Sequence, residues 1–217
     1  MRLLDAVDFV RGTAAASRSD RDFVVACYDG NVDAVTLMLK HGSFDSNTST
    51  SGQSALCAAA AGVNGGRPQS DATKVRLIRL LCTHGADPNK FSWRRWSPLH
   101  YAILNGSSVV ATELLDQGAD VEALFNGCTP LRLLACDDPR YPSRRALTPA
   151  AKRILMRLLI DRGANPLAIR SPYCITDDAR QILHRYYAIV VHLHVIGTNP
   201  SRVEACDLAP TIAAFVI

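Results

Sequence analysis

The sequence predicts an all-α repeat fold, a solenoid of helix-turn-helix units with β-hairpin-like fingers between them. The first observation is a leucine-rich segment that closes on a glycine and occurs four times: LMLKHGSFDSN (37–47), RLLCTHGADPN (79–89), ELLDQGADVEA (113–123) and RLLIDRGANPL (157–167). The glycines are Gly42, Gly85, Gly118 and Gly163, which are 43, 33 and 45 residues apart. One 33-residue spacing and two longer ones indicate a stacked repeat with two insertions.

The second observation is another motif that repeats in phase with the first: SALCAAAAG (54–62), SPLHYAILNG (97–106) and TPLRLLAC (129–136). In each copy a hydroxyl residue opens a short apolar helix, because its side chain can accept backbone N–H groups of the first turn. Proline suits that turn, and a glycine after the second helix can take the left-handed conformation that ends it. Each unit therefore reads as two short helices, which must stack on neighbouring units to bury their apolar faces.

The motifs resemble those of the ankyrin repeat family. Ser97-Pro98-Leu99-His100-Tyr101-Ala102 is similar to the family's TPLHxA pattern, and Gly85-Ala86-Asp87-Pro88-Asn89 is similar to the start of its hairpin. The resemblance covers about residues 20–190. It implies an ankyrin-repeat solenoid with repeats at about 20–49, 50–92, 93–125 and 126–170. We expect residues 1–19 to cap the first repeat and residues 171–217 to form a degenerate capping repeat and tail.

The two insertions, residues 63–73 and 137–150, are rich in glycine, proline and serine and are predicted to be loops. Because they occur two repeats apart at equivalent places, we expect both at the same edge of the stack. They are interpreted as tolerated surface insertions, with a partner that bridges them as the alternative.

Composition restricts the class of protein. The 217 residues are 48% hydrophobic and 20% charged, with a net charge of +4. This composition predicts a globular chain, and the net positive charge is too small to indicate nucleic-acid binding by itself. The seven cysteines include no CxxC pair, which predicts reduced thiols rather than a zinc site or a disulfide framework. We therefore predict a cytoplasmic monomer, with the nucleus as the alternative compartment, and no metal, cofactor or membrane span.

The candidate binding site is the finger between the second and third repeats. Large side chains occupy its tip, where the ankyrin family uses variable contact positions, and both tryptophans of the chain are here. Tryptophan, tyrosine and arginine dominate binding hot spots. The predicted patch comprises finger residues Phe91, Trp93, Arg94, Arg95 and Trp96, palm residues Tyr101, Leu104 and Asn105, and the neighbouring Leu124 and Phe125. The alternative is that the tryptophans pack on the neighbouring finger.

These features predict a non-enzymatic protein–protein interaction module, an adaptor, inhibitor or effector. Its partner would be another protein with an acidic or apolar segment. No catalytic motif with convincing spacing occurs, and His100 is expected to tie adjacent hairpins together, as the resemblance implies. The alternative function is nucleic-acid binding through an arginine track with tryptophan stacking. That track would comprise Arg94, Arg95, Arg140, Arg144, Arg145, Arg153 and Arg157.

Overall fold

The computed structural model describes residues 16–41, 44–50, 53–64, 67–92, 96–124, 127–136, 147–165, 180, 181 and 183. Helices in these ranges follow one another in four pairs: α1 (Ala16–Asp29) and α2 (Val32–Lys40), α3 (Ala55–Ala61) and α4 (Asp71–Thr83), α5 (Pro98–Leu104) and α6 (Ser108–Asp116), α7 (Pro130–Ala135) and α8 (Pro149–Asp161). Two short antiparallel hairpins join β1 (Ser49–Thr50) to β2 (Gln53–Ser54) and β3 (Val63–Asn64) to β4 (Arg67–Pro68).

The helix boundaries follow from local chemistry. Each helix from α2 to α8 begins after a polar residue whose side-chain oxygen accepts the backbone N–H three positions later. These caps are Asn31, Ser54, Ser70, Ser97, Ser107, Thr129 and Thr148. After the second helices, Gly85, Gly118 and Gly163 have φ of +87°, +89° and +94°, which is the left-handed region. The predicted hydroxyl caps are confirmed at Ser54, Ser97 and Thr129, and the predicted glycine helix ends at Gly85, Gly118 and Gly163. The fourth repeat glycine, Gly42, lies outside the described residues.

The helices form two rows. The first helix of each pair packs on the first helix of the next pair, and we call this the inner row, α1, α3, α5 and α7. The second helices, α2, α4, α6 and α8, pack on one another in the outer row. Burial runs along the whole stack: all seven residues of α3 are buried, and fully buried large side chains come from every pair. The predicted fold class, a solenoid of helix-turn-helix units, is confirmed.

The first insertion is more ordered than predicted. Within residues 63–73, Val63 pairs with Pro68 and Asn64 with Arg67 in the β3–β4 hairpin. Helix α4 then begins at Asp71, because Ser70 caps it. Glycine and proline content predicts a loop here and reveals neither the hairpin nor the start of helix α4, because composition does not specify which backbone groups pair. Of the second insertion, residues 137–146 lie outside the described residues, and α8 begins at Pro149, before the predicted loop ends.

Near the end of each insertion, one side chain contacts a glycine turn of the preceding helix pair. Gln69 directly precedes the cap of α4, and Leu147 directly precedes the cap of α8. Gln69 lies against Gly30 and donates its amide N–H to the carbonyl of Tyr28, and Leu147 lies against Gly106. We call these two contacts the turn contacts.

The turn contacts leave no room for a side chain at either glycine. A methyl carbon added at Gly30 would lie 2.6 Å from Gln69 Cδ, and one at Gly106 would lie 2.4 Å from Leu147 Cδ2. Gly85 and Gly118 also have positive φ, yet a methyl carbon at either would meet nothing within 4 Å. At Gly85 and Gly118, glycine is needed only for its left-handed backbone conformation. At Gly30 and Gly106, the lack of a side chain also allows Gln69 and Leu147 to pack closely.

An asparagine ladder connects the fingers. Asn47 donates its amide N–H to the Gly85 carbonyl at 2.8 Å and accepts the Asp87 N–H at 2.8 Å. One repeat later, Asn89 donates to the Gly118 carbonyl at 3.1 Å and accepts the Asp120 N–H at 2.7 Å. Each asparagine thus satisfies one backbone donor and one acceptor of the next finger. The fingers are held in a common register by these side chains.

Replacement of Asn89 by alanine should therefore loosen the third finger and lower the free energy of unfolding by about 1–3 kcal/mol, since two hydrogen bonds are lost. Urea denaturation followed by circular dichroism measures this loss. Thr83→Ala is the control, because the Thr83 hydroxyl donates to the Leu80 carbonyl at 2.9 Å and lies 3.4 Å from His84 Nδ1, both within its own repeat. Equal stability of Asn89→Ala and Thr83→Ala would show that the ladder does not stabilise the stack.

Candidate functional site

The finger of residues 90–96 has a closed base. The Ser92 N–H donates to the Trp96 carbonyl at 2.9 Å, and the Trp96 N–H donates back to Ser92 Oγ at 3.3 Å. Ser92 is buried. Trp93, Arg94 and Arg95 of the predicted patch lie outside the described residues, as does Phe125. The closed base brings the two ends of the finger together.

The side chain of Trp96 packs on the inner helix that follows it. Its ring centroid lies 5.7 Å from that of Tyr101 with an interplanar angle of 45°, and 6.2 Å from the His100 ring. Trp96 and Tyr101 are both half-buried. Tilted aromatic pairs at this separation are favourable beyond the area they bury. Trp96 therefore joins the finger to the palm.

Phe91 and Leu124 are the apolar finger residues that the structure exposes. Their relative exposures are 43% and 60%. Each lies six residues after its repeat glycine, Gly85 or Gly118, so the two occupy equivalent positions on consecutive fingers. An exposed apolar side chain repeated at one register marks a surface that can bury area against a partner.

Two palm residues differ from the prediction. Leu104 is only 6% exposed, so it belongs to the core and not to the palm surface. Asn105 is half-buried, and its amide donates to the carbonyls of Ala60 and Ala61 at 3.1 and 3.2 Å. These are orphan carbonyls at the end of helix α3, which need partners. Asn105 thus connects two repeats, and it is half-buried, as Tyr101 is.

His100 is buried between two fingers. Its Nδ1 lies 2.8 Å from Ser97 Oγ, and its Nε2 lies 3.4 Å from the carbonyl of Cys128 in the following finger. Burial lowers the pKa of His100 from 6.5 to about 4, and the hydrogen bond to the Cys128 carbonyl opposes this only in part. The ring is neutral at pH 7, with Nε2 as donor to the carbonyl. The predicted structural role of His100 is confirmed.

Charged side chains tie the outer row together. Arg79 on α4 bonds to Glu113 on α6 at 2.7 Å, and Arg162, just after α8, bonds to Asp116 at 2.7 Å. The hydrogen bond from Arg79 holds the pKa of Glu113 below its usual value. These ion pairs link neighbouring repeats on the side of the stack that carries the outer helices.

The predicted arginine track is only partly described. Arg153 and Arg157 are exposed on helix α8 of the outer row, whereas Trp96 leads into helix α5 of the inner row. The other members, Arg94, Arg95, Arg140, Arg144 and Arg145, lie outside the described residues. Arg153 and Arg157 of the track therefore belong to a different row from Trp96.

In the described ranges, no group of three His, Cys, Asp or Glu side chains could hold a metal ion. None of the described helices has the length and apolar character to cross a bilayer.

Sequence comparison agrees with this architecture. Residues 70–168 match the family described as Ankyrin repeats (3 copies). The chain is 33% identical to mouse (Mus musculus) Ankyrin repeat and SOCS box protein 16 over 148 residues, which are 66% of the chain and 30% of that protein. The chain is an ankyrin-repeat protein.

Two further relatives share shorter stretches. Human (Homo sapiens) Ankyrin repeat and MYND domain-containing protein 1 is 39% identical over 92 residues, 42% of the chain and 9% of that protein. Phosphate system positive regulatory protein PHO81 of Saccharomyces cerevisiae is 42% identical over 59 residues, 27% of the chain and 4% of that protein. The chain thus spans less than a third of each of these curated relatives. Repeats of this family are protein–protein interaction modules, typically without catalytic activity.

Several residues that shape the site were not singled out from the sequence. They are the ladder asparagines Asn47 and Asn89, the turn-contact residues Gln69 and Leu147, and Cys57 beneath the finger. A signal existed for the ladder, since Asp-x-Asn follows the repeat glycine in Asp45-Ser46-Asn47 and again in Asp87-Pro88-Asn89. The other contacts join residues that are distant in sequence, and no local pattern announces them.

Proposed function

We propose that the chain binds a protein partner through the finger and palm surface of its second to fourth repeats, without catalysis. The observation that carries this proposal is the pair Phe91 and Leu124, two exposed apolar side chains at equivalent positions of consecutive fingers. The half-buried Trp96 follows Phe91 in the same finger, and its contact with Tyr101 extends the apolar surface onto the inner row. We expect the partner to present an apolar segment, with acidic groups facing Arg94 and Arg95.

The scaffold beneath this surface favours tight binding. The asparagine ladder and the closed finger base are formed within the chain itself, so little backbone freedom remains to be lost on association. Large, rigid side chains on such a frame act as hot spots. A flexible loop binds more weakly, because it loses conformational entropy when it becomes ordered on binding. In this proposal the protein is a monomer of the cytoplasm that needs no cofactor, and binding alone produces its effect as an adaptor, inhibitor or effector.

Affinity capture from a lysate of the cells that express the protein tests the proposal. Phe91→Ala/Leu124→Ala removes the two exposed finger side chains and should weaken partner capture by about 30-fold or more, as expected for two hot-spot residues. Val109→Ala/Ile154→Ala is the matched control. These residues are exposed to 56% and 57%, and they lie on the outer helices α6 and α8. Circular dichroism establishes that both double variants are folded.

Partners that are lost with the finger variant and kept with the outer-row variant support the proposal. Partners kept by both variants, or lost with the outer-row variant alone, contradict it. A captured nucleic acid whose binding falls steeply with salt would favour the arginine track instead, because phosphate contacts release counterions. The location of Arg153 and Arg157 on the outer row, away from helix α5, disfavours that outcome.

A further inference from the structure

The base of the 90–96 finger is held from the preceding repeat by two side chains of helix α3 and its cap. The Ser54 hydroxyl donates to the Lys90 carbonyl at 3.4 Å. The Cys57 thiol lies 3.5 Å from the Lys90 carbonyl and 3.5 Å from the Trp96 carbonyl. These carbonyls stand at the two ends of the finger, so one thiol touches both sides of its base. We call Ser54 and Cys57 the finger clamp.

The next repeat shows what the clamp replaces. Ser97 caps α5 as Ser54 caps α3, and His100 stands three residues after its cap, as Cys57 does. His100 reaches the carbonyl of Cys128 in the finger that follows. Cysteine at this position is a departure from the family pattern quoted above. Its shorter side chain can meet the same class of acceptor only where the finger base lies close to the helix.

The environment of Cys57 keeps the thiol in its donor form. The residue is fully buried, and burial raises the pKa of the Cys57 thiol to about 12 despite the hydrogen bonds that oppose it. A protonated thiol is a weak hydrogen-bond donor, whereas a thiolate would repel both carbonyls. Ser54 also accepts the Cys57 N–H at 3.2 Å, which fixes the two members of the clamp relative to each other.

We infer that Ser54 and Cys57 are positioning residues that set the orientation of the recognition finger on the stack. Their hydrogen bonds to the finger are made to its backbone, at Lys90 for both side chains and at Trp96 for Cys57, so they act on the partner through that backbone. The part of this inference that concerns partner affinity rests on the proposed function. The orientation of the finger can be tested without any partner.

Tryptophan fluorescence reports on this finger alone, because both tryptophans of the 217-residue chain, Trp93 and Trp96, lie in it. The test compares Cys57→Val with Cys57→Thr in the full chain. Valine and threonine have nearly the same shape, but only threonine carries a hydroxyl donor. We expect acrylamide to quench Cys57→Val about twofold more efficiently than the wild type, since the finger base opens more often. Cys57→Thr should stay close to the wild type.

Cys27→Val is the background control. Cys27 is a fully buried cysteine of the inner helix α1, and its thiol pKa is also raised to about 12 by burial. It should leave tryptophan quenching unchanged. Should Cys57→Val fail to fold by circular dichroism, Ser54→Gly takes its place, because glycine is tolerated as a helix cap and removes the hydroxyl bond to Lys90. Equal quenching of Cys57→Val and Cys57→Thr, or of Ser54→Gly and the wild type, overturns the inference.

Partner capture with the same variants separates this inference from the proposed function. With the clamp weakened in Cys57→Val, we expect about a tenfold loss of affinity and recovery in Cys57→Thr. If quenching responds as expected but Phe91→Ala/Leu124→Ala keeps its partners, the positioning of the finger stands and the proposed function fails. If Phe91→Ala/Leu124→Ala loses its partners but quenching does not respond, the proposed function stands and the clamp does not.

Discussion

Acidification from pH 6.5 to pH 4 should lower the stability of the protein by about 3 kcal/mol through His100 alone. The pKa of His100 falls from 6.5 in the unfolded chain to about 4 in the folded one, because the ring is buried between two fingers. The unfolded chain therefore binds the proton more tightly than the folded chain. The contribution of neutral His100 is complete above pH 6.5 and is lost as the pH falls through this window.

Urea denaturation at closely spaced pH values measures the effect. His100→Gln removes the titrating ring and can still donate an amide N–H toward the Cys128 carbonyl. It should be less stable than the wild type at pH 7, yet its stability should change little between pH 6.5 and pH 5. His84→Gln is the control, because His84 is an exposed histidine at the end of helix α4. It should keep the acid sensitivity of the wild type.

Carboxylates also destabilise the folded chain in acid, but in a lower range. The pKa of Glu113 is held below its ordinary value of 4.5 by Arg79, so its stabilising contribution is present above that value and is lost as the pH falls below it. Losses between pH 6.5 and pH 5 thus report on histidine. Parallel losses in the wild type and His100→Gln over that interval would assign the acid sensitivity to other groups.

Replacement of Gly106 by alanine should destabilise the protein by about 1–3 kcal/mol, mostly through a strained backbone and in smaller part through displacement of the end of the Leu147 side chain. Gly106 has φ of +73°, a conformation that alanine adopts at a cost. The added methyl carbon would also lie 2.4 Å from Leu147 Cδ2. Gly118→Ala carries the backbone strain alone, with φ of +89° and nothing within 4 Å of the added carbon.

A double-mutant cycle isolates the packing part of this loss. Gly106→Ala and Leu147→Ala should be coupled favourably by about 0.5–1 kcal/mol, because Leu147→Ala removes the side chain that the new methyl group would displace. Leu147→Ala should show no such coupling with Gly118→Ala. Additive effects of Leu147→Ala and Gly106→Ala would show that the second insertion does not seat on this turn. Urea denaturation of the wild type, the three single variants and the two double variants supplies all the values.

The repeats could be predicted from the sequence because their signals are local. A cap and the N–H that it binds are three residues apart, as in Ser97 and His100, and the glycine that ends a helix adjoins it. The finger and its large side chains were also predictable, because Gly85 and Ser97 mark its limits in the sequence. The exposure of those side chains was not predictable in the same way. Leu104 and Phe91 are both large and apolar, yet one is buried and the other half open to solvent.

Contacts between distant residues account for what sequence reasoning missed. Asn105 gives its amide to carbonyls 44 and 45 residues earlier, and Gln69 bonds to a carbonyl 41 residues earlier. Neither contact leaves a trace in the few residues around it. In the sequence, Cys57 is one of seven scattered cysteines. In the structure it occupies the same repeat position as His100 and contacts the base of the finger.

The sequence alone sets the repeat unit, the caps of the first helices at Ser54, Ser97 and Thr129, and the glycines that end the second helices, because these features depend on residues within one helical turn of each other. The stacking of the units determines the rest. It buries Leu104, leaves Phe91 and Leu124 exposed, and brings Gln69 and Leu147 onto glycine turns of the preceding pair. Burial and close packing arise only when distant segments meet, so the surface offered to a partner is a property of the assembled stack.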